Sequence, residues 1–515
     1  MTSTAATPAA TPAATPAAAG TVAGTAVKRG AGWPRIAGLL AALLLLAGCA
    51  VNPATGQRQF TGLLSPDQER QLGAEQHPQI LSEMGGAYED PSVQAYVDGI
   101  GQRLAATTGL PGTRYTFTVL DSEVVNAFAL PGGYVYVTRG LMALANNEAQ
   151  LAGVLGHEIG HVTARHTAER YSQGTLAQVG AVLAGALGGQ QLGQAAAAGA
   201  QLVMAGWSRD QELEADGLGI RYMAAAGFDP LEMAAFLDAM GAHARLEATL
   251  AGRPGAADSF SYLQTHPPTG QRVERATEAA GSRPSGGWTT DRDAYLRRID
   301  GIVYGDSPKN GVVRGRVFLH PALGFRFEVP EGFRLLNGQT QVTAVGPDQR
   351  SLITFDGAPV QGVPDPSAYL TTVWAPRVPL SGLESLSIDG RPAATAMARA
   401  DTDAGPVDVR FVALRFDSRT YYRFLFVSAP DATARLSEDY RRTAYSFRAL
   451  GADERAQIRP RRLRVVTVKP GQTVADFVRM MPDGDHAEER FRVLNNLPAG
   501  APLQPGQPVK IVTEG

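Results

Sequence analysis

The chain of 515 residues is long enough for two to four domains, each with a core of its own. Its 47 basic and 49 acidic residues nearly cancel, to a formal charge of −2, which argues against non-specific nucleic-acid binding. The single cysteine, Cys49, excludes internal disulfides and any cysteine-based zinc site.

Residues 1–26 are an Ala/Thr/Pro low-complexity run that cannot build a core. Lys28, Arg29 and Arg35 then flank an apolar run from Ile36 to Ala47, which closes on Leu46-Ala47-Gly48-Cys49. Basic start, apolar middle and small residues make an export signal, too short for a comfortable transmembrane helix. The Leu-Ala-Gly-Cys stretch resembles a bacterial lipobox, which implies that Cys49 becomes the lipidated first residue of the mature protein. Ala50 in place of Asp resembles the class of lipoproteins sorted to the outer membrane. The expected location is the periplasm, on a lipid anchor.

Ser65 to Leu81 has the marks of a helix, with Ser65 as cap and Pro66 in the first turn. Tyr115 to Leu120 and Val124 to Thr138 are strand-like, the second split by Pro131-Gly132-Gly133. Tyr134-Val135-Tyr136-Val137 alternates by face, and reads either as an edge strand that pairs with a peptide substrate or as an ordinary sheet strand.

The next stretch, Leu144 to Arg170, holds His157-Glu158-x-x-His161. Helix positions four apart lie about 40° from one another, so both imidazoles face one way and can share a metal. Glu158 sits beside them as a carboxylate able to take a proton from a water. Leu144, Leu151, Val154 and Leu155 supply an apolar stripe, and Gly153, Gly156 and Gly160 allow close approach by another element or by substrate. A third ligand is needed, with a fourth position open. On a continuous helix His166 would lie about 140° around from His161, out of reach. Glu212, in WSRDQELEADGLGIRY, is the better candidate; Ser208 or Asp210 caps that helix, and Asp216 lies one turn on. Asp216 would accept a hydrogen bond from the distal nitrogen of a liganding histidine.

The pattern LxxVLGHEIGHVTARH followed by SRDQELEAD resembles the zinc metallopeptidase family that includes HtpX and the CAAX prenyl proteases. With the lipobox, it is most similar to that family's periplasmic lipoprotein branch, typified by the β-barrel assembly-enhancing protease. The resemblance implies a zincin-like domain binding one Zn2+ per chain through His157, His161 and Glu212, with Asp216 as the acid after the third ligand. Glu214, two residues from Glu212, faces away. Thr265-His266-Pro267 with Arg272 resembles the family's element after the core. His266 then donates a hydrogen bond to the tetrahedral oxyanion, caps the open zinc position in a resting state, or only structures a loop. Gly174 to Gly206, rich in Ala, Gly and Gln, is expected as a helical pair over the cleft rather than a membrane span.

From Val312 to Leu450 the pattern changes to period-2 strands with Gly/Pro/Asp/Asn turns, an antiparallel sheet with one or two helices that loosely resembles modules of the PsbP type. Leu463 to Val512 resembles a LysM module, which implies peptidoglycan as a partner. The expected fold class is α+β, divided as 1–48 signal peptide with extension, 49–280 metallopeptidase, 281–311 linker and helix, 312–450 accessory domain and 460–515 LysM-like domain. The expected function is a zinc endopeptidase acting on misfolded or unassembled envelope proteins, with Glu158 as general base. The rival is a chaperone-like outer-membrane lipoprotein that binds such proteins and rarely cleaves them.

Overall fold

A computed structural model describes residues 49–110, 112–175, 207–256, 266, 270–281, 287–360, 362–402, 405–482, 484 and 486–515. The export signal expected before Cys49 and nearly all of the helical pair expected over 174–206 lie outside the described residues.

A short hairpin, β1 (Cys49–Val51) and β2 (Arg58–Phe60), opens the described chain. Its turn is organised by the Asn52 side chain, whose carbonyl accepts from the Ala54 and Thr55 amides. Helix α1 (Pro66–Glu83) starts in a capping box between Ser65 and Gln68, and α2 (Pro91–Ala105) on the Asp90 side chain. The strand-like runs fold into β3 (Thr116–Leu120), β4 (Ala127–Leu130) and β5 (Tyr134–Thr138), in spatial order β3-β5-β4. The edge-strand alternative for Tyr134–Val137 is therefore corrected. β5 is central, parallel to β3 and antiparallel to β4, and the edge strand on the side of the metal-motif helix is β4.

Helix α3 (Arg139–Leu144) leads into the motif helix α4 (Glu148–Thr163), capped by Asn147. Helix α5 (Arg209–Ala225), capped by Ser208 with Gln211, crosses α4 at small residues. A Cβ on Gly160 would stand 2.9 Å from the Ala215 carbonyl oxygen, and one on Gly219 2.9 Å from the His157 amide nitrogen. No side chain fits between the two backbones there. This close approach is what lets two acids on α5 reach imidazoles on α4. Helices α6 (Leu231–Leu250) and α7 (Gly270–Gly281) pack against α4 and α5.

The linker expected over 281–288 lies mostly outside the described residues, and the helix expected after it is built into the same core as the peptidase segment. The Thr290 carbonyl accepts from the Glu148 amide at the start of α4. In α8 (Arg292–Ile299), Tyr295, Leu296 and Ile299 are buried with the peptidase-segment side chains, and Tyr295 donates to the Met142 carbonyl.

After β6 (Val303–Tyr304), all strand pairing is antiparallel. A four-stranded sheet contains β7 (Val312–Arg314), β8 (Val317–His320), β9 (Phe325–Glu328) and, after the helix named below, the two-residue strand Arg448–Ala449. A seven-stranded sheet begins with β10 (Arg334–Asn337), β11 (Gln341–Val345) and β12 (Leu352–Pro359). It continues with β13 (Ser381–Ile388), β14 (Arg391–Thr402), β15 (Gly405–Arg415) and β16 (Thr420–Ser428). Helix α9 (Pro430–Tyr445) covers it, and Phe318, Phe325, Phe327, Phe355 and Phe424 fill the core between. The C-terminal unit is strand–helix–helix–strand: β17 (Arg461–Thr467), α10 (Val474–Val478), α11 (Ala487–Leu494) and β18 (Pro508–Glu514). Leu463, Leu494 and Val512 from it are buried in the same cluster as the peptidase segment, and β17 pairs with β6. The whole is α+β, as expected. Among the described residues no helix is long and apolar enough to cross a membrane.

Candidate metal centre

One turn of α4 sets His157 and His161 on the face turned to α5, where Glu212 and Asp216 are likewise one turn apart. His157, His161, Glu212 and His266 each offer a donor atom, and these lie within 4.8 Å of one another, all four residues buried. The Nε2 atoms of His157 and His161 are 3.0 Å apart. Glu212 Oε1 is 3.4 Å from His161 Nε2, and Glu212 Oε2 is 3.7 Å from His157 Nε2. His266 Nδ1 is 3.2 Å from His157 Nε2 and 2.8 Å from Glu212 Oε1. Bonds of 2.0–2.1 Å in a tetrahedron put donors about 3.3 Å apart, so these separations fit one zinc ion.

The proton positions agree with that fit. His157 Nδ1 donates to Asp216 Oδ1 at 2.8 Å, which leaves Nε2 as a lone pair. His161 Nε2 faces it across 3.0 Å; with the His161 proton on Nδ1, two lone pairs meet there, an arrangement that a cation between them would relieve. Burial, aided by the neighbouring His157 and His266 and opposed by Glu212, lowers the pKa of His161 well below the usual histidine range, which favours the neutral form that a ligand needs. For Glu212, burial opposes ionisation, but His266 and His161 outweigh it and hold the carboxyl well below the usual range. A bound cation would favour the same state.

Arg272, from α7, ties the acids together. It donates to Asp216 Oδ2 from Nε and to Asp216 Oδ1 from Nη2, each at 2.7 Å, while its Nη1 lies 2.8 Å from Glu212 Oε2. It also reaches the His266 carbonyl at 3.2 Å. Burial penalises the Asp216 carboxylate, and Arg272 overcompensates, lowering its pKa.

Glu158 is fully buried, and burial raises its pKa above the ordinary carboxyl value. Its Oε1 is 3.7 Å from His266 Nε2, so His266 faces the donor set with one ring nitrogen and the candidate base with the other.

His166 was placed out of reach on the premise of a continuous helix. α4 stops at Thr163, and Arg165 takes φ +55°, held by Glu69 and the Leu64 carbonyl. That turn brings His166 Nδ1 back to 2.9 Å from His161 Nδ1, while its Nε2 lies 3.2 Å from Glu214 Oε2. Glu214 stays out of the metal set and receives Asn52 and Thr55 from the β1–β2 hairpin. Trp207, just before α5, stacks on His161 with centroids 4.4 Å apart. Sequence reasoning missed Trp207, and it set His166 aside as a ligand without foreseeing its contact with His161; the only sequence signal was proximity to the motifs. Beside His161 a cleft of about 200 Å3 runs past Ala129 and Leu130 of the edge strand, walled by Pro53, Pro66 and Leu110.

Residues 91–280, which contain every residue of the donor set, match Peptidase family M48. This segment is an M48 peptidase domain. The chain is similar to the beta-barrel assembly-enhancing protease of Escherichia coli (strain K12), 31% identical over 257 residues, 48% of this chain and 51% of that protein. It is also similar to the mitochondrial metalloendopeptidase OMA1 of Schizosaccharomyces pombe (strain 972 / ATCC 24843), 30% identical over 233 residues, 44% of this chain and 65% of the other. The chain thus spans about half the length of the first relative and under two thirds of the second. Among solved structures, cyanobacterial PsbP from Synechocystis sp. PCC 6803 aligns at 12% identity over 33% of this chain and 99% of that chain, with a TM-score of 0.21, too low to build on.

Proposed function

We propose that this chain is a zinc-dependent endopeptidase of the bacterial cell envelope, hydrolysing peptide bonds in misfolded or unassembled envelope proteins. The observation that carries the reading is the convergence of His157, His161 and Glu212 from two helices with the buried Glu158 at their side. Zinc held there would polarise the scissile carbonyl and acidify the attacking water. Glu158 takes that water's proton and returns it to the leaving amine, a task suited to a carboxyl whose pKa burial has raised. Asp216 keeps His157 in the tautomer with Nε2 free, and Arg272 keeps Asp216 ionised.

His266 sits at the fourth corner of the donor set, which supports the capping role over the oxyanion role for the arrangement described. A catalytic site keeps that corner open, so His266 must swing aside for turnover. The main chain of an extended substrate is proposed to pair with the edge of β4, one of its side chains entering the cleft beside His161.

The name of the Escherichia coli relative supports envelope proteins under assembly as substrates. Lipidation at Cys49 would hold the domain at the outer membrane, and peptidoglycan is the proposed partner of the C-terminal LysM-like unit, tested by pull-down of the full chain with purified sacculi. The central test is Glu158→Gln: the variant keeps zinc by metal analysis and loses digestion of an unfolded protein. Retained turnover, or chelator-insensitive digestion by the wild type, overturns the assignment. Rescue of envelope stress by Glu158→Gln would favour the chaperone-like rival.

A further inference from the structure

The β1–β2 hairpin touches the metal centre at second hand, through the Nδ1 side of His161 rather than the Nε2 side that faces the other donors. His161 meets His166, and His166 meets Glu214 Oε2. Glu214 Oε1 in turn receives two donors from the hairpin turn, Asn52 Nδ2 and Thr55 Oγ1, each at 2.9 Å. Asn52 is buried, although Val51, Pro53 and Thr55 around it are exposed. A turn-forming asparagine needs only its side-chain carbonyl, which here accepts from the Ala54 and Thr55 amides. The Asn52 amide is spent elsewhere: on Glu214 and, at 3.2 Å, on Gln59 Oε1. Gln59 passes the link on, donating from Nε2 to the carbonyl of Ala164, which caps the end of α4, at 2.9 Å. Arg221 of α5 holds the same turn by the Ala54 carbonyl at 3.2 Å. The hairpin is thus fastened to both helices that carry the donor set.

Glu214 is the point this brace secures. Its side chain is partly exposed, with rotamers to lose and water as a competing partner. Turned into solvent, it would leave His166 Nε2 unmatched in a buried site, and the His166–His161 hydrogen bond would lose its fixed direction. With both hairpin donors on Oε1, Oε2 is left to His166.

We propose that Asn52 is a positioning residue of the metal centre: with Thr55 it fixes Glu214 against His166 and so orients His161 toward the ion. The brace is built from the first residues after Cys49, the proposed lipidation site. Because it acts on a zinc ligand, this role rests on the metallopeptidase reading.

The test reverses the polarity of one contact. Asn52→Asp keeps the side-chain shape and the oxygen that accepts from the turn amides, but sets a carboxylate against Glu214. Zinc affinity of the full chain, by competition with a chromogenic chelator, should fall about 3- to 10-fold, less than for a partner that touches the ligand itself. The visible bands of the cobalt-substituted protein, which report the geometry around the ion, should shift. Adding Glu214→Gln turns the pair round: its amide nitrogen donates to the carboxylate at position 52, and its oxygen still accepts from His166. The double variant Asn52→Asp/Glu214→Gln should therefore bind zinc within about twofold of the wild type and regain its bands, whereas Glu214→Gln alone does not. A purely structural turn would lower the melting temperature of the Asn52 variants without moving the bands. Thr55→Val, at an exposed position, removes the second donor and should cost about twofold, a loss that vanishes in a Glu214→Ala background. If Asn52→Asp does not fold, this second cycle decides: no loss, or a loss that persists without Glu214, overturns the proposal. Indifference of affinity and bands to Asn52→Asp, or a double variant no better than either single one, overturns it while leaving the metallopeptidase reading intact. A wild-type chain that binds no zinc overturns both.

Discussion

His161 Nδ1 lies 2.9 Å from His166 Nδ1, and the direction of that hydrogen bond follows from the next link. His166 Nε2 faces the Glu214 carboxylate, which can only accept, so His166 donates there and its Nδ1 must accept from His161. His161 is thereby held with Nε2 free, as His157 is held by Asp216. Two different relays fix the two imidazoles: a direct carboxylate for His157, and an imidazole backed by a carboxylate for His161.

Replacing His166 with Phe keeps the ring volume and removes the acceptor. Zinc affinity, measured by competition with a chromogenic chelator, should fall about 10- to 100-fold, the usual effect of losing such a partner. Glu214→Gln, which leaves His166 in place, should cost less. Unchanged affinity in the His166 variant would show that the ring orientation of His161 is set by packing against Trp207 instead.

Arg272 contacts both Glu212 and Asp216, and it is itself buried. Arg272→Met leaves Asp216 and Glu212 as buried carboxylates short of a counter-charge, which costs about 3–5 kcal/mol of stability when one partner of a buried pair is removed. Bound zinc would replace part of that charge at Glu212. Urea denaturation should therefore show a larger loss in chelator than with zinc present. Arg272→Lys is expected to rescue little, because a single ammonium cannot make the forked contact with Asp216.

How far the residues themselves foretold this site depended on whether the controlling interaction was local. Helix periodicity put His157 with His161 and Glu212 with Asp216, because one turn of α-helix is the same in any context. Bringing the two pairs together required small residues at the crossing; Gly156 and Gly160 stood in the sequence as that signal, though not their target, and Gly219 on the facing helix went unread. The contact of His166 with His161 was hidden because a left-handed turn at Arg165 is stabilised by Glu69, 96 positions away. The order β3-β5-β4 was hidden for a similar reason: alternation marks a strand but does not say which neighbours it takes. The integration of residues 287–304 into the core depends on long-range contacts such as Tyr295 to Met142.

Lys510 carries a third prediction. Wholly buried, its Nζ donates to the carbonyls of Ala143, Leu144 and Ala145 at 2.7, 3.1 and 2.8 Å, at the end of α3 just before the motif helix, and burial holds its pKa well below the usual lysine value. Those carbonyls have no next turn to accept from, and the C-terminal unit supplies the missing donors. Lys510→Met should cost about 1–3 kcal/mol, because it leaves buried acceptors unmatched. The loss should appear in the same cooperative transition as the peptidase segment, followed by hydrogen exchange on α4. A separate early transition confined to residues 461–515 would mean that the unit is merely appended.

Glu123 makes stability depend on pH in a defined direction. Burial, with Asp306 beside it, pushes its carboxyl up to about 8 in the folded chain, against the ordinary glutamate value of 4.5 when unfolded. Between those values the folded state holds a proton that the unfolded state has lost, so this group's contribution is full below about 4.5 and disappears as the pH rises through 8. The carboxyl keeps contact with solvent, so the slope is shallower than the ~1.4 kcal/mol per pH unit of a fully buried group. Glu123→Gln removes the titration. Relative to the wild type it should gain stability steadily from pH 5 to pH 8.5 in chemical denaturation at fixed ionic strength, and a difference that is flat across that range would place the proton elsewhere.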